Sequence, residues 1–217
     1  MSDSEVFREV DEEYRRDRMI AFWRRYGAAV AVAAVAVMLV ALGINYYLRR
    51  QELQKEAETA RFEALLSGIQ PGNEQEAIQN LAAYAATANP VKATLAMLTE
   101  ASLRQRTGNI TAAAQVYHQI ADGNQAPQDL KDLAIVRLGY LAADADKPEP
   151  LIPRLQAIAD KDSPWRYSAR EAIALLTAKA GQREAAAKMF SDLAQAPGAP
   201  IDLAERARAL ADLYRGK

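Results

Sequence analysis

The chain has 217 residues, and its 27 basic and 28 acidic side chains give a formal net charge of −1. No basic face stands out, which makes nucleic acid a poor candidate partner. The chain contains no cysteine, which excludes disulfides and thiolate metal sites. Alanine is frequent and β-branched runs are scarce outside residues 26–48, so the composition predicts an all-α protein.

Residues 1–25 predict an amphipathic lead segment. Phe7, Val10 and Tyr14 recur at helical spacing, with acidic and basic side chains between them. This pattern is typical either of a solvated helical lead-in to the next element or of a docking stripe for a membrane partner.

Residues 26–48 contain no charged side chain. A helix of this length spans roughly 34 Å, and the hydrocarbon core of a bilayer is about 30 Å thick. Aromatic rings at both ends of the stretch, such as Trp23 and Tyr47, are typical of membrane–water interfaces. The stretch therefore predicts a single transmembrane helix.

Two alternatives to an uncleaved membrane anchor remain open. The first is a buried core helix, although core helices rarely run this long without a charge. The second is a signal peptide cleaved near Ala41-Leu42-Gly43, although the acidic segment before residue 26 is atypical of a signal peptide.

The flanks of residues 26–48 predict an orientation. The fifteen residues before the stretch hold five Lys or Arg, and the fifteen after it hold four. By the positive-inside rule, the N-terminus is expected in the cytoplasm. Small residues on one face of the helix predict close packing against another membrane helix. This predicted packing face consists of Ala29, Ala33, Ala36 and Gly43.

Residues 49–71 predict a helical stalk that also serves as the first repeat helix. Leu53, Ala57 and Ala64 fall on one apolar stripe, and Pro71-Gly72 ends the run. Residues 72–217 then predict a degenerate helical repeat domain. Its last segment, residues 201–215, predicts a capping helix, because the exposed end of a repeat stack needs a cover.

An internal repeat of about 36 residues organises this domain. The predicted turns are Gly72-Asn73, Gly108-Asn109, Asp146-Lys147 and Gly181-Gln182. Each turn is followed by small and large apolar positions in a constant order. These positions are Ala77, Ala113, Leu151 and Ala186, then Leu81, Tyr117, Leu155 and Phe190, then Tyr84, Ile120, Ile158 and Leu193. The pattern resembles the tetratricopeptide repeat, a helix–turn–helix unit, and the predicted fold is an α-solenoid behind a transmembrane helix.

No residue set predicts catalysis, a cofactor or a metal. The only histidine, His118, lies beside the core position Tyr117, and no phosphate-binding loop is present. We therefore expect a non-enzymatic protein without a small-molecule substrate.

A repeat stack offers a concave surface, which first-helix residues line in tetratricopeptide domains. The predicted protein-binding groove consists of Phe62, Leu66, Leu98, Ser102, Gln105, Val136, Tyr140, Glu171, Leu175 and Ala178. This set is largely apolar, with one acid and no base. It favours an unfolded or amphipathic segment over an acidic tail. The alternative is that these side chains pack against neighbouring helices.

The layout as a whole resembles the ancillary Sec-translocon subunit family of bacterial inner membranes. The resemblance rests on FWRRYG before the anchor and on the half-repeats GNITAAAQVYHQIA and GQREAAAKMFSDLA. The lead segment VFREVDEEYRRDRMIAFWRRYG is similar to alphaproteobacterial versions. The resemblance implies an inner-membrane protein with a periplasmic domain that binds the translocon and contacts periplasmic chaperones or secreted clients. The alternative is a structural or assembly subunit of another membrane complex, such as a respiratory or envelope-division machine.

Overall fold

The computed structural model describes residues 3–145 and 150–216, and within these ranges every regular element is an α-helix. The absence of strands in the described ranges confirms the all-α prediction. The helices are α1 Asp3–Ser67, α2 Glu74–Ala85, α3 Pro90–Arg106, α4 Ile110–Asp122, α5 Gln128–Asp144, α6 Ile152–Ala159, α7 Arg166–Lys179, α8 Arg183–Ala194 and α9 Ile201–Arg215.

The chain divides into two units, Met1–Thr59 and Ala60–Lys217. The first unit consists of α1 as far as Thr59. The large apolar side chains that are described in this unit are exposed, as at Val35 (58%) and Met38 (63%). Among the residues whose side chains are described, no helix offers a stretch that is long and apolar enough to span a bilayer. The predicted transmembrane helix and the predicted domain boundaries stay predictions.

The second unit is a series of helical hairpins joined by short turns. Gly108 and Gly181 occupy the left-handed region, with φ of +81° and +84°, which only glycine adopts without strain. Gly72 does the same before α2, with φ of +99°. At the Gly108-Asn109 turn, the Asn109 side chain accepts a hydrogen bond from the Ala112 N–H and so caps α4. These three predicted turns are confirmed. The predicted Asp146-Lys147 turn lies outside the described residues.

The repeated apolar positions form the core of the second unit. All twelve residues that the repeat pattern placed after the turns are buried, from Ala77 to Leu193. The largest of them, Tyr117 and Phe190, are exposed by 1% or less. Because a single hairpin cannot bury its apolar face alone, these side chains hold neighbouring hairpins together.

Small residues set how closely the repeats pack. Gly139 on α5 faces α6 and α7, and a Cβ atom at this position would lie 3.0 Å from the Ala172 Cβ and from a Leu155 methyl group. Helix α5 therefore approaches its neighbours as closely as side chains permit.

Helix α9 covers the end of the stack and occupies the residues predicted for the capping helix. Leu203, Ala207 and Ala211 are buried, and the Tyr214 ring stacks on Phe190 with ring centroids 5.6 Å apart. This contact extends the core of the last hairpin onto α9.

We expect Gly139→Val to lower the free energy of unfolding of the repeat domain by about 2 kcal/mol, because the added methyl groups overpack the junction of α5, α6 and α7. Thermal unfolding of the full chain in detergent, followed by circular dichroism, measures the effect. The control Ala82→Val places the same β-branched side chain at an exposed position of α2 and costs only about 0.5 kcal/mol. Equal losses in the two variants would contradict the close approach.

Candidate protein-binding groove

The first helices of the hairpins present one face with three adjoining cavities. The first trough, about 430 Å³, lies between the end of α1, α3 and α5. The second trough, about 500 Å³, lies between α5, α7 and α9. The third trough, about 400 Å³, follows at the C-terminal ends of α5 and α7. The first two share Leu133 and Arg137, and the last two share Tyr140 and Leu175, so the troughs form one groove.

Nine of the ten residues predicted for the groove line these cavities. The first trough is lined by Phe62, Leu66, Leu98 and Ser102. The second is lined by Val136, Tyr140, Glu171 and Leu175. The third is lined by Ala178 together with Tyr140 and Leu175. Gln105 is half-buried on α3 and lines none of the three. Their role in binding stays a prediction.

The predicted residues differ in depth. Val136 and Glu171 are exposed by only 1% and 2%, so they form the floor of the second trough. Leu66 (38%) and Ser102 are exposed at the first trough. A bound segment could therefore contact the exposed Leu66 and Ser102 side chains in the first trough. It would reach Glu171 only at the floor of the second trough.

A hydrogen-bonded ion pair closes the floor of the second trough. The Arg206 guanidinium on α9 donates to both oxygens of Glu171, from Nε at 2.6 Å and from Nη2 at 2.9 Å. The Tyr140 hydroxyl donates to Glu171 Oε2 at 2.7 Å. The buried carboxylate therefore receives three hydrogen bonds from two helices that flank α7, which stabilises a buried charge that would otherwise be costly.

In this triad of Tyr140, Glu171 and Arg206, the pKa values of the tyrosine and the arginine are raised. Burial, and then the hydrogen bond to Glu171, raise the pKa of the Tyr140 hydroxyl well above its ordinary value of 10.0. The hydrogen bond to Glu171 raises the pKa of Arg206, whereas burial acts against this rise. The tyrosine stays neutral and the arginine stays charged throughout the physiological pH range.

Basic residues that the predicted set does not contain also line the cavities. Arg106 and Arg137 line the first trough, Arg137 also lines the second, and Arg206 lines the second from α9. Arg137 was within reach of sequence reasoning, because it lies three residues before Tyr140 and so shares its helical face. Arg206 was not among the predicted residues, because α9 was interpreted as a cover for the end of the stack and not as part of the groove.

The predicted membrane packing face is only partly described. Ala29 and Ala33 lie outside the described side chains. Ala36 and Gly43 are exposed, and a Cβ atom added at Gly43 would meet no atom within 4 Å. Packing of this face against another helix stays a prediction.

The remaining polar groups of note have structural partners. Asp122 lies 3.7 Å from His118 Nδ1 and accepts a hydrogen bond from Arg154 at 2.7 Å. The buried Asp132 accepts hydrogen bonds from Lys161 and Ser163, each at 3.1 Å, which ties α5 to the turn before α7. Within the described part of the chain, no three His, Asp or Glu residues are arranged to hold a metal ion.

Comparison with known families agrees with this architecture. Residues 21–188, more than half of the chain, match the tetratricopeptide repeat-like domain family. The chain belongs to this family. Tetratricopeptide repeat-like domains are typically non-enzymatic modules that bind proteins on a concave surface, so protein partners are supported in general. Neither a curated protein nor a solved structure matches the chain.

We expect Tyr140→Phe to destabilise the repeat domain by about 1–2 kcal/mol at pH 7, because Glu171 loses one hydrogen bond. This difference from wild type should shrink as the pH rises above about 10. A raised pKa makes the folded state bind the tyrosine proton more tightly than the unfolded state. The Tyr140 hydroxyl therefore makes its full contribution to the free energy of unfolding below pH 10. It loses this contribution as the pH rises from 10 through the pKa of the folded state.

Thermal unfolding between pH 7 and pH 11 measures this dependence for wild type and the variant. The matched control is Tyr214→Phe, because the Tyr214 hydroxyl makes no hydrogen bond to any described residue. A gap between wild type and Tyr140→Phe that stays constant up to pH 11 would contradict the raised pKa of the Tyr140 hydroxyl.

Proposed function

We propose that this protein is a membrane-anchored adaptor of the Sec translocon. Its repeat domain lies in the periplasm of a bacterium and holds chaperones or secreted clients in the groove. The observation that carries the binding role is the groove itself, three connected cavities lined by the first helices of tetratricopeptide-like hairpins.

The composition of the groove supports protein binding. Phe62, Leu66, Leu95 and Leu98 give the first trough an apolar lining, and polar side chains such as Ser102 and Arg106 border it. An apolar trough with a polar border suits a helix or extended segment that presents one apolar face.

The sequence supports the anchor. The 23 residues from 26 to 48 carry no charge, and arginines flank them on both sides. Arg25 lies over the Tyr26 ring at 5.8 Å, and Arg50 lies over the Tyr46 ring at 5.9 Å. Tyrosine and arginine together at each end of an apolar stretch match the two interfaces of a membrane. The exposed apolar side chains between these ends would be covered by lipid.

The choice of the translocon rests on the resemblance of the lead segment and of two half-repeats to the ancillary subunit family. The alternative is a structural or assembly subunit of another membrane complex, favoured if the small-residue face with Ala36 and Gly43 is the main contact. The two roles differ in which part of the chain matters. An adaptor keeps its clients when the anchor is exchanged for an unrelated single-pass helix, whereas an assembly subunit is lost from its complex.

Site-specific photo-crosslinking tests the adaptor role. We expect a crosslinker at Ser102, exposed in the first trough, to capture translocon subunits, periplasmic chaperones or secreted chains. The matched control is Gln115, which is exposed on the second helix of the same hairpin and lines none of the three troughs. Equal adducts at the two positions, or adducts only with subunits of an unrelated complex, would refute the proposal.

Cysteine labelling tests the anchor and its orientation, and the cysteine-free chain needs no background substitutions. We expect Gln115→Cys to react with a membrane-impermeant maleimide in cells whose outer membrane is permeable. Ser4→Cys should react only after the inner membrane is disrupted. The opposite labelling pattern would show that the N-terminus lies in the periplasm. Recovery of the chain in the soluble fraction without detergent would exclude the anchor.

A further inference from the structure

Two arginines of the first trough carry charges that no described residue neutralises. Arg106, near the end of α3, and Arg137, in the middle of α5, are both exposed and both line this cavity. Neither takes part in an ion pair or a side-chain hydrogen bond with a described residue. The Arg137 charge also acts on the buried Tyr117 hydroxyl, which lines the same cavity.

The acid of the groove does not offset these charges. Glu171 is 2% exposed, and Arg206 binds both of its oxygens. The charged residues that line the first and second troughs are Arg106, Arg137, Arg206 and Glu171. Since Glu171 and Arg206 cancel each other, the free charge of these two troughs comes from the other two arginines and is positive.

The positive charges border an apolar surface. Phe62, Leu66, Leu95, Leu98 and Leu133 contribute aromatic and aliphatic area to the same cavity. A ligand that fills this trough must supply apolar groups at its centre and negative charge at its edge. A free anion would leave the apolar lining uncovered, and a purely apolar helix would leave both arginines without a partner.

We infer that the first trough binds an acidic amphipathic helix, whose apolar stripe covers the leucines and whose flanking Glu or Asp side chains pair with Arg106 and Arg137. Such carboxylates accept charge-assisted hydrogen bonds from the guanidinium groups. This inference rests on the proposed function, because it names the kind of protein segment that the groove selects. It keeps the amphipathic segment expected from the sequence and adds acidic side chains to it, because the trough has the arginines that the predicted set lacked.

The test uses the full chain in detergent and two fluorescent peptides of about 18 residues, or five helical turns. Both peptides carry leucines at positions i, i+3, i+4 and i+7. One has glutamates beside this stripe, and the other has lysines. Fluorescence anisotropy gives the two affinities, and titration of empty micelles supplies the background that is common to all variants.

Wild-type protein should prefer the glutamate peptide by about 10-fold, as expected for two partly exposed charge pairs. The double variant Arg106→Glu/Arg137→Glu should lose this preference or reverse it. The control Lys188→Glu/Arg208→Glu makes the same change in net charge at exposed positions that line none of the three troughs, and it should bind like wild type. If charge reversal disturbs folding by circular dichroism, Arg106→Gln/Arg137→Gln replaces it and should reduce the preference at least threefold.

Equal wild-type affinity for both peptides, or a preference that survives in the folded double variant, would overturn the inference. Its failure is distinguishable from failure of the proposed function. Protein adducts at Ser102 without any preference for the acidic peptide would refute only the acidic partner. Loss of the Ser102 adducts together with the absence of peptide binding would refute both.

Discussion

The second unit depends on the burial of small and large apolar residues between hairpins that cannot fold alone. Two kinds of contact occur between the hairpins. The backbone of α5 approaches Ala172 closely at Gly139, and the Phe190 ring stacks on Tyr214. Because each hairpin contacts mainly its neighbours, the domain is stabilised as a row of interfaces. The first helices of the hairpins then come together on one face and create the groove.

The charges of the groove follow from this packing. Helix α9 packs chiefly on α8, and this placement brings Arg206 to Glu171 across the end of the second trough. Tyr140 completes the triad from α5. One buried carboxylate thus joins α5, α7 and α9. Among the described residues that line the first two troughs, Arg106 and Arg137 are then the charged side chains left without an ion-pair partner. The ion pair therefore leaves the floor of the second trough without a net charge.

The proposed anchor and the groove have separate physical tasks. The uncharged residues 26–48 would confine the chain to a membrane. Confinement of this kind raises the effective concentration of a binding surface toward partners in the same membrane.

The sequence by itself determined the helical class, the glycine turns at positions 72, 108 and 181, and the twelve buried positions of the repeat. These features depend on local periodicity and on the backbone freedom of glycine, which are read along the chain. It also located nine groove residues, since residues on one helical face recur at fixed spacing. Only the tertiary structure revealed the partner of Glu171 and showed that Arg106 and Arg137, from two different helices, line one trough. Arg206 lies 35 residues from Glu171, the same spacing that separates the helix-ending glycines Gly181 and Gly216, so it occupies the equivalent position on α9. Whether two such residues form an ion pair depends on which helices pack side by side and where their side chains point, so it is decided only when the stack has formed.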